Sequence, residues 1–151
     1  MELDGLKGTI CSYIQRNRAL YILTEEIERT ESIECYRIYS MSIEDDATQC
    51  ILTRKGEKIK YFCVDDNENI VYITGNEVNN KQIIEVVKTD KAGNEVARKN
   101  LKEVVGSDAI NLCGMLADQN GQFVLACKDN IFFWMTCYRL VARYNRNKMF
   151  L

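Results

Sequence analysis

The sequence contains neither proline nor histidine. At the usual frequency of about 5%, a chain of 151 residues would carry roughly seven prolines, so turns fixed by an X-Pro bond are excluded. Without histidine, Ser-His-Asp and Cys-His catalytic groupings and imidazole-based zinc sites cannot form within the chain. Acid-base chemistry near neutral pH would fall to a perturbed carboxylate, lysine or cysteine. An excess of one charge is missing too. With 20 basic and 22 acidic residues, there is no electrostatic footprint for nucleic acid or an anionic membrane. The longest uninterrupted apolar run, Ile131 to Met135, is five residues, against roughly 20 for a membrane-spanning helix. Met1-Glu2-Leu3-Asp4-Gly5-Leu6-Lys7 has acids where a leader would have a basic region, and no apolar stretch follows. The expectation is an unexported, cytoplasmic chain with no membrane span.

Cysteine is plentiful, but in no reactive pattern. The seven cysteines at 11, 35, 50, 63, 113, 127 and 137 include no Cys-x-x-Cys pair, so neither a thioredoxin-type motif nor a zinc knuckle is present. Most lie next to Val, Ile, Tyr or Leu and read as small buried hydrophobes in a reducing compartment. An odd count argues against a disulfide framework. With 46% hydrophobic and 28% charged residues, the composition is that of one globular domain.

Periodicity gives mostly strands. Tyr36 to Ile43, Lys58 to Val64, Ile70 to Thr74, Ile83 to Lys88, Gln122 to Cys127 and Ile131 to Met135 are rich in Val, Ile, Tyr and Phe and bounded by Asn, Asp, Gly and Lys. Asp90-Lys91-Ala92-Gly93 and Asp118-Gln119-Asn120-Gly121 read as hairpin turns. Each opens on a carboxylate able to accept local N–H bonds and closes on a glycine that tolerates positive φ. Ala19 to Arg29 competes as a helix, with Leu20, Leu23 and Ile27 at helical spacing and three good helix formers. Tyr138 to Tyr144 competes in the same way.

An internal repeat decides the first of these in favour of strand. Ile14 to Thr24 aligns with Val64 to Thr74 at an offset of 50 (64 minus 14), and Val64 to Thr74 with Ala117 to Cys127 at an offset of 53 (117 minus 64). In each, an apolar strand ends, a polar turn around Asn17, Asn67 or Asn120 follows, and a second apolar strand begins. The same register places Cys11-Ser12-Tyr13, Tyr61-Phe62-Cys63 and Gly114-Met115-Leu116 together. A further strand pair follows in each unit: Cys35 to Ile43 with Thr48 to Arg54, Ile83 to Thr89 with Glu95 to Leu101, and Ile131 to Tyr144 leading to an Asn145 to Lys148 turn and a stub at Met149 to Leu151. Four short strands per unit of about 50 residues is the signature of propeller blades. The expected fold is all-β: about three consecutive four-stranded antiparallel blades of a partial β-propeller, a single repeat domain over 1–151 with units at 1–54, 55–105 and 106–151.

The pattern of apolar strand, Asp-x-x-Gly-like turn and a second strand such as Phe123-Val124-Leu125 or Ile70-Val71-Tyr72-Ile73 resembles the blades of bacterial propellers of the NHL and YVTN kind. The Gly-His and Trp-Asp marks of Trp-Asp repeats are absent. The resemblance implies a frame shared by many functions and carries over no catalytic residue. Propellers close with about four to eight blades, so three units with open faces imply a piece of a longer propeller, a truncated product, or self-association. A compact three-sheet stack is the alternative.

Several clusters have a structural reading beside the chemical one. Asp65-Asp66-Asn67-Glu68-Asn69 begins like a calcium loop. It has Ile70 where the sharp-turn glycine belongs and Asn76 where the bidentate glutamate belongs, and so reads as a hairpin turn. Glu44-Asp45-Asp46 reads as a solvated turn, and Phe132-Phe133-Trp134 as packing between blades or an aromatic ligand surface. The favoured function is a non-catalytic binding or scaffolding module presenting loops to a protein or small-molecule ligand. Its candidate binding residues are Asn17, Asp65, Asn67, Asp118, Asn120 and Trp134, with no metal and no cofactor. The alternative is part of a propeller-type lyase or glycoside hydrolase, which would need two carboxylates from different units converging in a central pocket.

Overall fold

The runs of β-branched and aromatic residues form strands, which among the described residues come in three sets of four. The computed structural model describes residues 5–28, 32–78, 81–105, 112–117, 122–127, 130–134 and 140–145. The first sheet consists of β1 (Thr9–Arg16), β2 (Ala19–Glu28), β3 (Ile33–Ser42) and β4 (Thr48–Lys55). The second has β5 (Lys58–Val64), β6 (Ile70–Val78), β7 (Lys81–Thr89) and β8 (Glu95–Asn100). The third has β9 (Leu112–Ala117), β10 (Phe123–Cys127), β11 (Asn130–Trp134) and β12 (Leu140–Asn145). Each sheet runs in simple sequence order and every neighbouring pair is antiparallel.

Ala19 to Glu28 is therefore a strand, its helical spacing overridden by pairing with β1 on one side and β3 on the other. Two local expectations are corrected. The strand foreseen over Glu95 to Leu101 stops at Asn100, and a short helix α1 (Leu101–Val105) follows. The Asn100 side chain accepts the Lys102 N–H at 2.9 Å, as a helix cap does, and Leu101 turns into the core. Asn145, placed at the head of a turn, instead ends β12. The rest of that turn and the stub at Met149 to Leu151 lie outside the described residues.

Two cores alternate with the sheets. The first gathers Leu23, Tyr36 and Ile38 from the first sheet against Phe62, Val64 and Tyr72 from the second. The second gathers Cys63, Val71 and Ile73 from the second sheet against Met115, Phe123 and Leu125 from the third. Because successive side chains point to opposite faces, β5 and β6 supply both cores from alternate residues. That double burial explains their unbroken apolar runs, where a half-exposed strand would alternate with polar residues. On the far side of the third sheet Leu116 is 61% exposed.

The cross-strand register corrects the repeat. Gln15 faces Leu20, and Val64 faces Ile70, so the offset is 49 (64 minus 15) in the first strand and 50 (70 minus 20) in the second. The Asn67 turn is one residue longer than the Asn17 turn. Ser12, Tyr61 and Gly114 are the true equivalents, facing Leu23, Ile73 and Ala126. The sequence alignment is one residue out along β1, correct along β2, and correct between the second and third units. A β-bulge recurs at one place in each innermost strand, with Cys11, Lys60 and Cys113 as the extra residue. A second recurs in each fourth strand, at Ile51, Val96 and Val141. Bulges sharpen local twist and re-aim a side chain, so three sheets bulged alike also curve alike.

Candidate functional site

Turns at one end of the blades build the first groove. Between Arg16 and Ala19 the chain reverses in two residues, Asn17 at φ 52° and Arg18, and asparagine is among the few non-glycine residues that accept this region. The Arg18 carbonyl accepts the Ile43 N–H at 3.0 Å, which ties this turn to the end of β3. The Arg18 guanidinium lies 2.6 Å from Glu44 in the solvated Glu44-Asp45-Asp46 turn. Asn17, Arg18, Ser40, Ser42, Gln49 and Glu68 are among the residues lining an open groove of about 610 Å3. Its lining offers amides, hydroxyls, a guanidinium and a carboxylate, a set suited to recognition by hydrogen bonds.

The next turn is built by one carboxylate. Asp65 Oδ1 accepts the N–H groups of Asn67 and Asn69 at 2.9 and 2.8 Å, and Oδ2 accepts the Asn69 side-chain amide at 2.9 Å. Asp90 repeats the arrangement with Ala92, Asn94 and the Asn94 side chain, each at 2.9 Å. Both turns also close with the same two backbone bonds. The Asp90 carboxyl is held below its ordinary pKa, first by the Asn94 side chain and then by the turn's N–H groups.

A second groove, the axial groove, of about 620 Å3, runs between the innermost strands β1, β5 and β9. The three bulge residues of the innermost strands, Cys11, Lys60 and Cys113, line it. Glu25 is its acid among the described residues. The Tyr36 hydroxyl lies 2.9 Å from Glu25 Oε1 and 3.0 Å from Glu34 Oε2. Loss of water and these two carboxylate acceptors raise the phenol far above its usual range. The Cys11 thiol donates toward Glu25 Oε2 at 3.7 Å. Desolvation of its sulfur, and then the Glu25 charge, raise its pKa as well, so it stays a neutral thiol.

Of the sequence-derived candidates, Asn17 lines the turn-end groove beside Glu68. Asn67 is exposed one residue away. Asp65 is fully buried, and its oxygens hold the turn. Trp134 ends β11, opposite Phe123 and Leu140. Asp118 and Asn120 lie outside the described residues. Cys35 and Cys63 are buried as expected, whereas Cys11, Cys50 and Cys113 are exposed. Sequence reasoning passed over Arg18, Gln49 and the whole axial groove. The signals that could have found the groove were a lysine inside the apolar run Ile59-Lys60-Tyr61-Phe62 and a glycine, Gly75, inside a strand.

Acids do converge, but around cations. Arg98 reaches Glu57 at 2.7 Å, Glu85 at 2.8 Å and Glu95 at 2.9 Å. Arg54 lies 3.5 Å from Glu57 and donates to the Tyr72 hydroxyl at 2.8 Å. Among the described residues no group of three or more Cys, Asp or Glu is placed to hold a metal ion. No described helix is long and apolar enough to cross a membrane.

No protein-family profile and no curated protein matches this sequence. Solved structures do match its fold. The β-propeller domain of the Trilobed protease from Pyrococcus furiosus, which has an open velcro topology, superposes with a TM-score of 0.61 at 7% identity over 93% of this chain. XC5397 from Xanthomonas campestris, a gluconolactonase, superposes with a TM-score of 0.53 at 8% identity over 90% of it. The matched regions cover 43% and 46% of those two chains, so this chain spans less than half the length of either. At such identities the likeness concerns architecture, and the architecture is that of four-stranded antiparallel β-propeller blades.

Proposed function

We propose that the chain is a non-catalytic binding module, its blades of the NHL and YVTN kind, whose turn-end groove takes a small hydroxyl-rich ligand. The observation that carries this reading is the lining: Asn17, Arg18, Ser40, Ser42, Gln49 and Glu68 bring donors and acceptors of several geometries into one concavity held on rigid strands. The favourable test is a backbone-amide NMR titration with neutral mono- and disaccharides. Shifts should gather at 17–19, 40–42, 47–49 and 68, and Gln49→Leu should weaken binding about tenfold through the loss of a hydrogen-bonded side chain. Shifts absent from these residues, or unaffected by Gln49→Leu, would overturn the reading.

A second reading has one observation in its favour. A structural neighbour is a gluconolactonase, and the axial groove carries Glu25, so hydrolytic or eliminative chemistry on a sugar-like substrate would centre on that acid. Against it, Glu25 is the one acid among the described residues lining the groove, where acid-pair chemistry needs two converging carboxylates. Turnover of lactone or glycoside substrates that disappears in Glu25→Gln would favour this reading over the first.

A further inference from the structure

We propose that the axial groove is a separate binding site for a small organic monocarboxylate, with Lys60 as the partner of its charge. Lys60 stands where a charge is least expected, in a strand whose neighbouring residues Ile59, Phe62, Cys63 and Val64 are buried. It is the extra residue of the β5 bulge, and the bulge takes its side chain out of the alternation that would bury it. Gly75 then makes room for the stem. A Cβ at position 75 would lie 2.7 Å from Lys60 Cε and 3.0 Å from Nζ, so any side chain there would push the end of the lysine aside. Glycine in a strand interior is unfavourable and commonly marks a close approach. Here what approaches is the lysine.

The charges in the groove do not balance. Lys58 and Lys60 both line it, and among the described residues neither has a hydrogen-bond or ion-pair partner. The opposing acid, Glu25, already receives the Tyr36 hydroxyl and the Cys11 thiol. Among the described lining residues, two cations against one anion leave a net positive charge of one, which a monoanion neutralises. Beyond the lysines the lining is carbon-rich, with Ile14, Tyr61, Phe62 and Met115. A carboxylate at Lys60 would lay a hydrocarbon or aromatic body on these residues, and about 620 Å3 is within the range of small-molecule sites. This assignment is independent of the turn-end groove and draws on none of its residues.

The test is titration calorimetry with hexanoate and phenylacetate beside their neutral amides. The carboxylates are expected to bind at least about tenfold more tightly than the amides, and added salt should weaken only the carboxylates. Lys60→Met and Lys60→Gln should each lose about tenfold in carboxylate affinity and leave the amides unchanged. Gly75→Ala should weaken carboxylate binding by less than the Lys60 variants, because its new methyl shifts the end of the lysine but leaves its charge. Equal binding of acid and amide, carboxylate affinity unchanged in either Lys60 variant, or no carboxylate binding up to about 10 mM would overturn the assignment.

Discussion

Replacing Gly93 with alanine tests how closely the blades are fitted to each other. Gly93 closes the Asp90 to Asn94 turn of the second sheet at φ +83°. Its missing Cβ would fall 3.1 Å from the carbonyl carbon of Ile51, in the first sheet, and would overlap the Ile51 oxygen. Ile51 is itself the extra residue of the β4 bulge, so turn and bulge meet backbone to backbone. Gly56 supplies the control, with φ +66° and only the Ile33 Cγ2 atom near, at 3.8 Å. A left-handed conformation costs a residue with a Cβ about 1–2 kcal/mol, and Gly56→Ala should lose about that. Gly93→Ala adds forced overpacking of about 1–3 kcal/mol, for a total of about 2–5 kcal/mol. Urea unfolding measures both, read from midpoints at constant m-value. Gly93→Asn separates the contributions, since asparagine tolerates the backbone angle but keeps the collision. Equal losses in the two alanine variants, or wild-type stability in Gly93→Asn, would refute the contact as a constraint.

Two further substitutions follow from the polar groups between the sheets. Arg98→Met removes the cation shared by Glu57, Glu85 and Glu95, leaving Arg54 at 3.5 Å from Glu57 and 3.9 Å from Glu95, and should cost about 1–3 kcal/mol at pH 7, since the Arg98 side chain is 29% exposed and the cluster is partly screened. Arg98 holds the Glu95 pKa below its ordinary value, so this stabilisation is present above about pH 4.3 and is lost as pH falls through the depressed value. Thermal melts should therefore show the gap between wild type and Arg98→Met narrowing below about pH 4, and a constant gap would contradict the assignment. Thr74 Oγ1 is buried and, among the described residues, lacks a hydrogen-bond partner, as does Thr24 Oγ1 fifty positions earlier in the chain. Thr74→Val removes an unpaired hydroxyl at nearly constant volume and should stabilise by about 1 kcal/mol. A loss of similar size would show that the hydroxyl is bonded.

The blades were legible in the sequence because each strand boundary carries its own chemistry. Asp90, expected to gather local N–H groups, does so with three bonds, and the Asp65 turn joins β5 and β6 as a hairpin. The strand Ala19 to Glu28 was recovered only through the repeat, since its local spacing is helical. Alignment by apolar runs could not see the bulges: Cys11 and Lys60 occupy places that exist only once Ser12 and Tyr61 are paired across to β2 and β6. The same blindness hid the axial groove, whose lining comes from positions 11, 60 and 113 on three separate sheets. Cysteine exposure misled for a related reason, as a bulge turns Cys11 and Cys113 away from the burial their apolar neighbours suggest.

The middle sheet has a mechanical consequence for how the chain comes apart. Phe62 and Val64 seal one core, and Cys63, between them, seals the other. Sliding β5 by one residue would exchange the two sets and ruin both interfaces together. In stacked repeats each unit ordinarily contributes its own stability plus an interface with each neighbour. Here both interfaces draw on alternate residues of the same strands, β5, β6 and β7, so neither flanking sheet can peel away without baring apolar surface on the second. The molecule should lose its blades in a single cooperative step, with the second sheet as the tie between the other two.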